Sequence, residues 1–94
     1  MEAPRLTFRV HAMSRMFERD ISVADVRHVL AIGDIIELYP EDQPYPSRLV
    51  LGYVNNRPLH VVAAYNEREN QIITITVYQP EADKWDETFR MRKP

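Results

Sequence analysis

At Gly33 the hydrophobic period of the sequence changes, and that one break restricts the chain to helices first and strands afterwards. Before it, apolar residues recur at spacings of one, three and four, which stacks side chains on one helix face. After it they alternate, or run in short apolar blocks bounded by turn residues, as strands do.

In the first third, Ala12, Met13, Met16 and Phe17 predict an amphipathic helix over residues 11–19 with those four facing inward. His11, Arg15, Glu18 and Arg19 then fall on its polar side. The second helix carries stronger local signals. Ser22 is an N-cap residue, Asp25 three positions on completes a capping box, and Ile21 with Val26 suits a hydrophobic staple. Val23, Val26, Val29 and Leu30 form its expected buried stripe, and Gly33 is placed to end it in a left-handed conformation.

Strands are expected at residues 34–39, 47–54, 59–65 and 72–77, with a weakly alternating stretch at 7–10 suited to a short edge strand. Between the first two lies a stiff loop, because Pro40, Pro44 and Pro46 cannot donate to a ladder. Asn55-Asn56 suits a two-residue turn at positive φ, which pairs Val54 with Arg57 and Leu51 with His60. The next turn leaves two registers open. A three-residue loop at Arg68-Glu69-Asn70 pairs His60 with Tyr78 on the face away from Ile73, Ile75 and Val77; a two- or four-residue loop turns His60 into the core. Short connections imply an antiparallel meander of three or four strands behind two N-terminal helices, an α+β fold in one domain of 94 residues. Both faces of the central strand are apolar, so both should be covered: one by the helices, the other by the C-terminal segment with Trp85 and Phe89, a second subunit or a protein partner.

Composition removes several function classes. Apolar residues make up 45% and charged residues 28%, the values of an ordinary globular domain. No apolar run reaches the roughly 20 residues needed to span a bilayer, and the N-terminus lacks a signal-peptide core. A cytoplasmic location without membrane contact is expected. There is no cysteine for disulfides or thiolate sites. The three histidines are too scattered for a metal motif, and two glycines make no phosphate loop, so no metal and no cofactor is expected. The net charge of −2 argues against strong nonspecific nucleic-acid binding, though Arg90, Arg92 and Lys93 make the tail locally basic.

Among polar residues, His11 and Arg15 align with Glu18 on one helix face. Two readings fit them: a proton-transfer group beside a phosphate-binding guanidinium, or a solvated stripe with Arg15 paired to Glu18. His60 and Tyr78 are a second candidate proton-handling pair if the register joins them, and otherwise a hydrogen-bonded structural pair. Arg19, Arg90 and Arg92 are candidate phosphate ligands. Tyr39 and Tyr45, on the proline-stiffened loop, and Trp85 are candidate protein-interaction residues.

The blocks His11-Ala12-Met13-Ser14-Arg15-Met16-Phe17-Glu18-Arg19-Asp20-Ile21-Ser22, Ile36-Glu37-Leu38-Tyr39-Pro40, Pro44-Tyr45-Pro46-Ser47, Arg57-Pro58-Leu59-His60-Val61-Val62 and Thr76-Val77-Tyr78 resemble the family called domain of unknown function 4258. That family is similar in layout to the RelE/ParE-like toxins, small α+β domains of which some cut messenger RNA without a metal and others poison gyrase. The resemblance implies a toxin-like protein acting on RNA as a metal-independent endonuclease, with an antitoxin-like protein as partner. The remaining readings are a toxin-type inhibitor of a protein target and a noncatalytic interaction domain, working as a homodimer or bound to a partner.

Overall fold

A computed structural model of the chain describes residues 3–94. In chain order the elements are β1 (Arg5–Phe8), α1 (Val10–Glu18), α2 (Val23–Ile32), β2 (Asp34–Tyr39), β3 (Ser47–Val54), β4 (Arg57–Asn66) and β5 (Gln71–Tyr78). The strands form one sheet in the order β1-β5-β4-β3-β2. The expected meander is present in β2 to β5, but the sheet has five strands and is mixed, because β1 pairs parallel to β5. The α1–α2 unit and strands β2 to β4 lie between β1 and β5 in sequence, so no local hydrophobic period announces that pairing.

Both helices pack on one face of the sheet. Met16, Ile21, Val26 and Val29 meet Val50, Leu59, Val61, Ala63 and Val77 in a single core, and each fully buried aliphatic side chain there contributes about 1.5–3 kcal/mol. The second helix starts as its sequence requires. Ser22 Oγ accepts from the Asp25 N–H at 3.0 Å, and the Asp25 carboxylate accepts from the Ser22 N–H at 2.9 Å. Ile21 and Val26, the staple pair, are both buried. Val23 is not part of the stripe; it is exposed. The first helix corrects its expectation more sharply. Ala12 and Met16 are buried, whereas Met13 is 54% and Phe17 89% exposed. The apolar arc of α1 is wider than the strip of β5 beneath it, so only half of it finds cover.

Gly33 ends α2 with φ −73° and ψ 171°, an extended conformation and not the left-handed one expected. Its glycine is required by space. A Cβ there would lie 2.5 Å from the Val29 carbonyl oxygen and 2.6 Å from that of Leu51. At Gly52 the nearest atoms to a Cβ belong to Val29, its side-chain methyls at 3.0 Å and its Cα at 3.1 Å.

The two open registers resolve in an unexpected way. Asn55 and Asn56 both have positive φ, 51° and 68°, and make the two-residue turn that pairs Val54 with Arg57 and Leu51 with His60. The following turn has four residues, since Asn66 pairs with Gln71. Alone, that would set Val77 and not Tyr78 opposite His60. However, Val62 pairs with Thr76 while Ala63 pairs with Thr74, so Ile75 is an extra residue, a β-bulge. The bulge restores the register, and His60 stands opposite Tyr78 on the face away from the helices.

Gly33→Ala should destabilise the fold by about 3 kcal/mol, because backbone oxygens cannot yield, whereas Gly52→Ala should cost about 1 kcal/mol. Urea unfolding of the two variants checks the order; equal midpoints would contradict it.

Candidate functional site

On the helix-free face, alternation in β2 places Glu37 and Tyr39 beside Leu49 and Ser47 of β3. β3 continues to Leu51, which lies opposite His60, and His60 lies opposite Tyr78. Residues after β5 fold back over this row. Trp85 and Arg92 form an isolated antiparallel bridge. The turn between them is organised by one Asp86 carboxylate oxygen, which accepts from the Thr88 hydroxyl at 2.7 Å and the Thr88 N–H at 3.1 Å. The tail thus covers the second apolar face, one of the occupants expected there.

His60 is the centre of this arrangement. It is fully buried, and both ring nitrogens have partners: Nε2 lies 2.9 Å from the Phe89 carbonyl oxygen and Nδ1 3.2 Å from the Tyr78 hydroxyl. A carbonyl oxygen only accepts, so Nε2 carries the proton. The neutral ring then accepts at Nδ1 from the Tyr78 O–H. Burial pushes the His60 pKa down, more than the Phe89 carbonyl and the nearby Glu37 charge raise it. Burial likewise raises that of Tyr78, which keeps the phenol protonated. Trp85 packs edge-on to the imidazole with ring centroids 4.4 Å apart. Phe89, whose carbonyl meets Nε2, holds φ at 59°, a left-handed conformation that costs an L-residue about 1–2 kcal/mol.

Arg92 links the tail to β2. Its guanidinium bonds both Glu37 carboxylate oxygens, at 3.2 and 3.3 Å, and lies 4.6 Å over the Trp85 ring. Tyr39 donates to the same carboxylate. Burial raises the Glu37 pKa, but the bonds from Tyr39 and Arg92 outweigh it and the net shift is downward. The Tyr39 phenol is pushed up to about 12, by burial and then by the Glu37 carboxylate. Arg90 pairs with Asp34.

Tyr78 opens onto a cleft of about 310 Å³ lined also by Arg19, Gln79, Glu81, Lys84, Trp85 and Arg92, with Lys84 and Glu81 paired at 3.3 Å. Of the residues singled out from sequence, Arg19, Tyr78, Trp85 and Arg92 therefore converge there, with His60 directly behind. Arg90 turns instead to Asp34. His11 is exposed at the start of α1, and Arg15 faces Glu18 at 3.7 Å; neither lines the cleft. Tyr45 lines a different cavity. Trp85, expected at an interaction surface, is 4% exposed beneath its own chain. Sequence reasoning missed four contributors. Glu37 shares the strand alternation of Tyr39 and was findable on that basis. Lys84 and the Phe89 carbonyl depend on the path of the tail. Arg57 was also missed; it bonds the backbone oxygens of Arg19 and Asp20 and the Gln79 side chain, so it fixes the end of α1 beside the cleft.

No group of histidine, aspartate and glutamate side chains suited to a metal occurs among the described residues, and no described helix is long and apolar enough to cross a membrane. The fold and site define a small α+β domain with a histidine–tyrosine pair behind a cationic cleft. The chain belongs to the family described as Domain of unknown function (DUF4258), whose model matches residues 8–79. No curated protein and no solved structure matches it. His60, Tyr78, Glu37, Tyr39 and Arg19 lie inside the matched segment; Lys84, Trp85, Phe89, Arg90 and Arg92 lie beyond it.

The buried neutral His60 makes stability depend on pH. Its folded pKa lies below the ordinary 6.5, so the unfolded chain binds the proton more readily. The contribution is present above pH 6.5 and declines as pH falls from there towards the folded value. His60→Gln should lower stability at neutral pH by about 1–3 kcal/mol by unpairing the buried partners, and should lack this acid limb. Unfolding midpoints from pH 5 to 8 measure both; parallel curves for the two proteins would rule the account out.

Proposed function

We propose that this domain is a toxin-like, metal-independent RNA endonuclease that uses Tyr78 and His60 for proton transfer. The observation that carries the reading is the 3.2 Å contact between Nδ1 of His60 and the Tyr78 hydroxyl, at the wall of a cleft where Arg19, Lys84 and Arg92 outnumber a single carboxylate, Glu81. Cleavage within RNA needs a group to take the 2′-hydroxyl proton and positive charge beside the phosphate. Tyr78 takes that proton while passing its own to Nδ1. The 2′-oxygen bonds to phosphorus as the bond to the 5′-oxygen breaks. The leaving oxygen takes a proton from water, and His60 later returns its proton to solvent through Tyr78. The Phe89 carbonyl holds the imidazole in the required tautomer, as a third group orients the base in other nucleophile–base pairs. Arg19, Arg92 and Lys84 supply the phosphate contacts. The toxin class itself rests on the family resemblance in layout, which is analogy.

Purified protein with single-stranded RNA in a metal chelator should leave 2′,3′-cyclic phosphate and 5′-hydroxyl ends. Tyr78→Phe should cut more slowly by about 10²–10⁴-fold, the usual worth of a positioned acid or base. Equal fragments from the two proteins would sink the assignment. Loss in a His11→Ala, Arg15→Ala double variant, with Tyr78→Phe active, would move the chemistry to the α1 face.

A second reading, a noncatalytic protein-interaction domain, is favoured by one observation. Val10, Met13 and Phe17 form an exposed apolar stripe at helical spacing on α1. A homodimer or partner complex using it would dissociate in Phe17→Ser, as sedimentation would show. A monomer at all concentrations, with nothing retained on the wild-type protein, would end that reading.

A further inference from the structure

Away from the proton-handling pair, at the far end of β4, lies a cavity of about 550 Å³ lined by Tyr45, Arg48, Tyr65, Arg68 and the short turn after β4. No helical residue lines it among those described. Its floor is flat. Arg48 of β3 pairs with Ala63, so Tyr65 is its diagonal neighbour on the same face. The guanidinium lies 4.0 Å from the centroid of the Tyr65 ring. No ion pair engages Arg48 among the described residues, so the outer side of its plane is not claimed by a carboxylate.

The cavity is held in shape by the proline loop. Tyr45 sits between Pro44 and Pro46, and the Pro46 carbonyl accepts from the Tyr65 N–H at 3.1 Å. The Ser47 hydroxyl donates to the Asp42 carboxylate. The turn is fixed too, since the buried Asn66 side chain accepts from the Glu69 N–H at 3.2 Å. A planar cation stacked on an aromatic ring, with a second aromatic ring on a rigid loop, receives a planar ligand at little ordering cost. Glu67 and Glu69 also line the cavity. Their charge disfavours a phosphate inside, yet suits the N–H groups at a base edge, which donate to carboxylates.

We propose that this cavity is a stacking slot for a nucleobase of single-stranded RNA. The proposal rests on the RNA reading above and names its substrate class: an unstacked strand, because only an unpaired base can enter edge-first. His60 and Tyr65 are five residues apart on β4, about 16 Å, and face opposite sides of the sheet. The slot therefore takes a base several nucleotides from the bond that is cut and sets the register of the strand.

Two probes separate the slot from the cleft: adenosine, which has a base and no phosphate, and ribose 5-phosphate, which has the reverse. In amide chemical-shift titrations of the full chain, adenosine should move Tyr45, Arg48 and residues 65–69. Arg48→Lys, which keeps the charge and loses the plane, should weaken binding about tenfold, and Tyr45→Leu should act similarly, both with otherwise native spectra. Adenosine shifts confined to the neighbourhood of Tyr78, no shifts at all, or equal affinity in Arg48→Lys would overturn the slot. Ribose 5-phosphate should move Tyr78, Lys84 and Arg92. Its failure beside intact adenosine binding would count against the endonuclease reading and leave the slot standing.

Discussion

One extra residue in β5 decides whether Tyr78 or Val77 stands beside His60. Without the bulge at Ile75, the four-residue turn after Asn66 would shift the β4–β5 pairing by one position at its far end. Val77 would then stand opposite His60 on the tail side and Tyr78 would turn towards the helices, because the β3–β4 pairing already holds His60 away from them. With the bulge, Val77 faces the helices and Tyr78 faces the tail. Both the close-packed core and the histidine–tyrosine pair depend on that single displacement.

The tail completes what the bulge begins. A buried imidazole has two nitrogens to satisfy, and the sheet supplies only the Tyr78 hydroxyl. The other partner is the Phe89 carbonyl, held in a costly left-handed conformation. Trp85, almost fully buried over His60, provides the apolar anchor. The Arg90–Asp34 and Arg92–Glu37 pairs are largely solvent-exposed on the arginine side, and such pairs are worth about 0–1 kcal/mol each. They orient the tail more than they hold it. Burial and one hydrogen bond do the holding.

Much of this was legible in the residues, and what was not has identifiable causes. Ser22 and Asp25 act within one turn of helix, so their geometry follows from spacing alone. Asn55-Asn56 tolerates positive φ and fixed its hairpin register by local chemistry. Met13 and Phe17 misled because hydrophobic period marks an apolar arc without saying how much of it has a partner. Gly33 misled in another way: glycine at a helix end serves either a left-handed turn or a close approach, and the nearness of the Leu51 carbonyl, 18 residues on, is not a local property. In the candidate site, Arg19, Tyr78 and Arg92 were singled out separately, but nothing in sequence spacing joins them.

The sequence by itself determined the two helices, the four-strand meander and the pairing of His60 with Leu51, because caps, turns and alternation are decided by neighbours along the chain. The tertiary structure alone decided the parallel β1–β5 pairing, the bulge, and the fold-back that brings Phe89 to His60 and Arg92 to Glu37. Apart from the bulge, those contacts join residues 29 to 66 positions apart, where the gain depends on the shape of the whole assembly and no local preference records it.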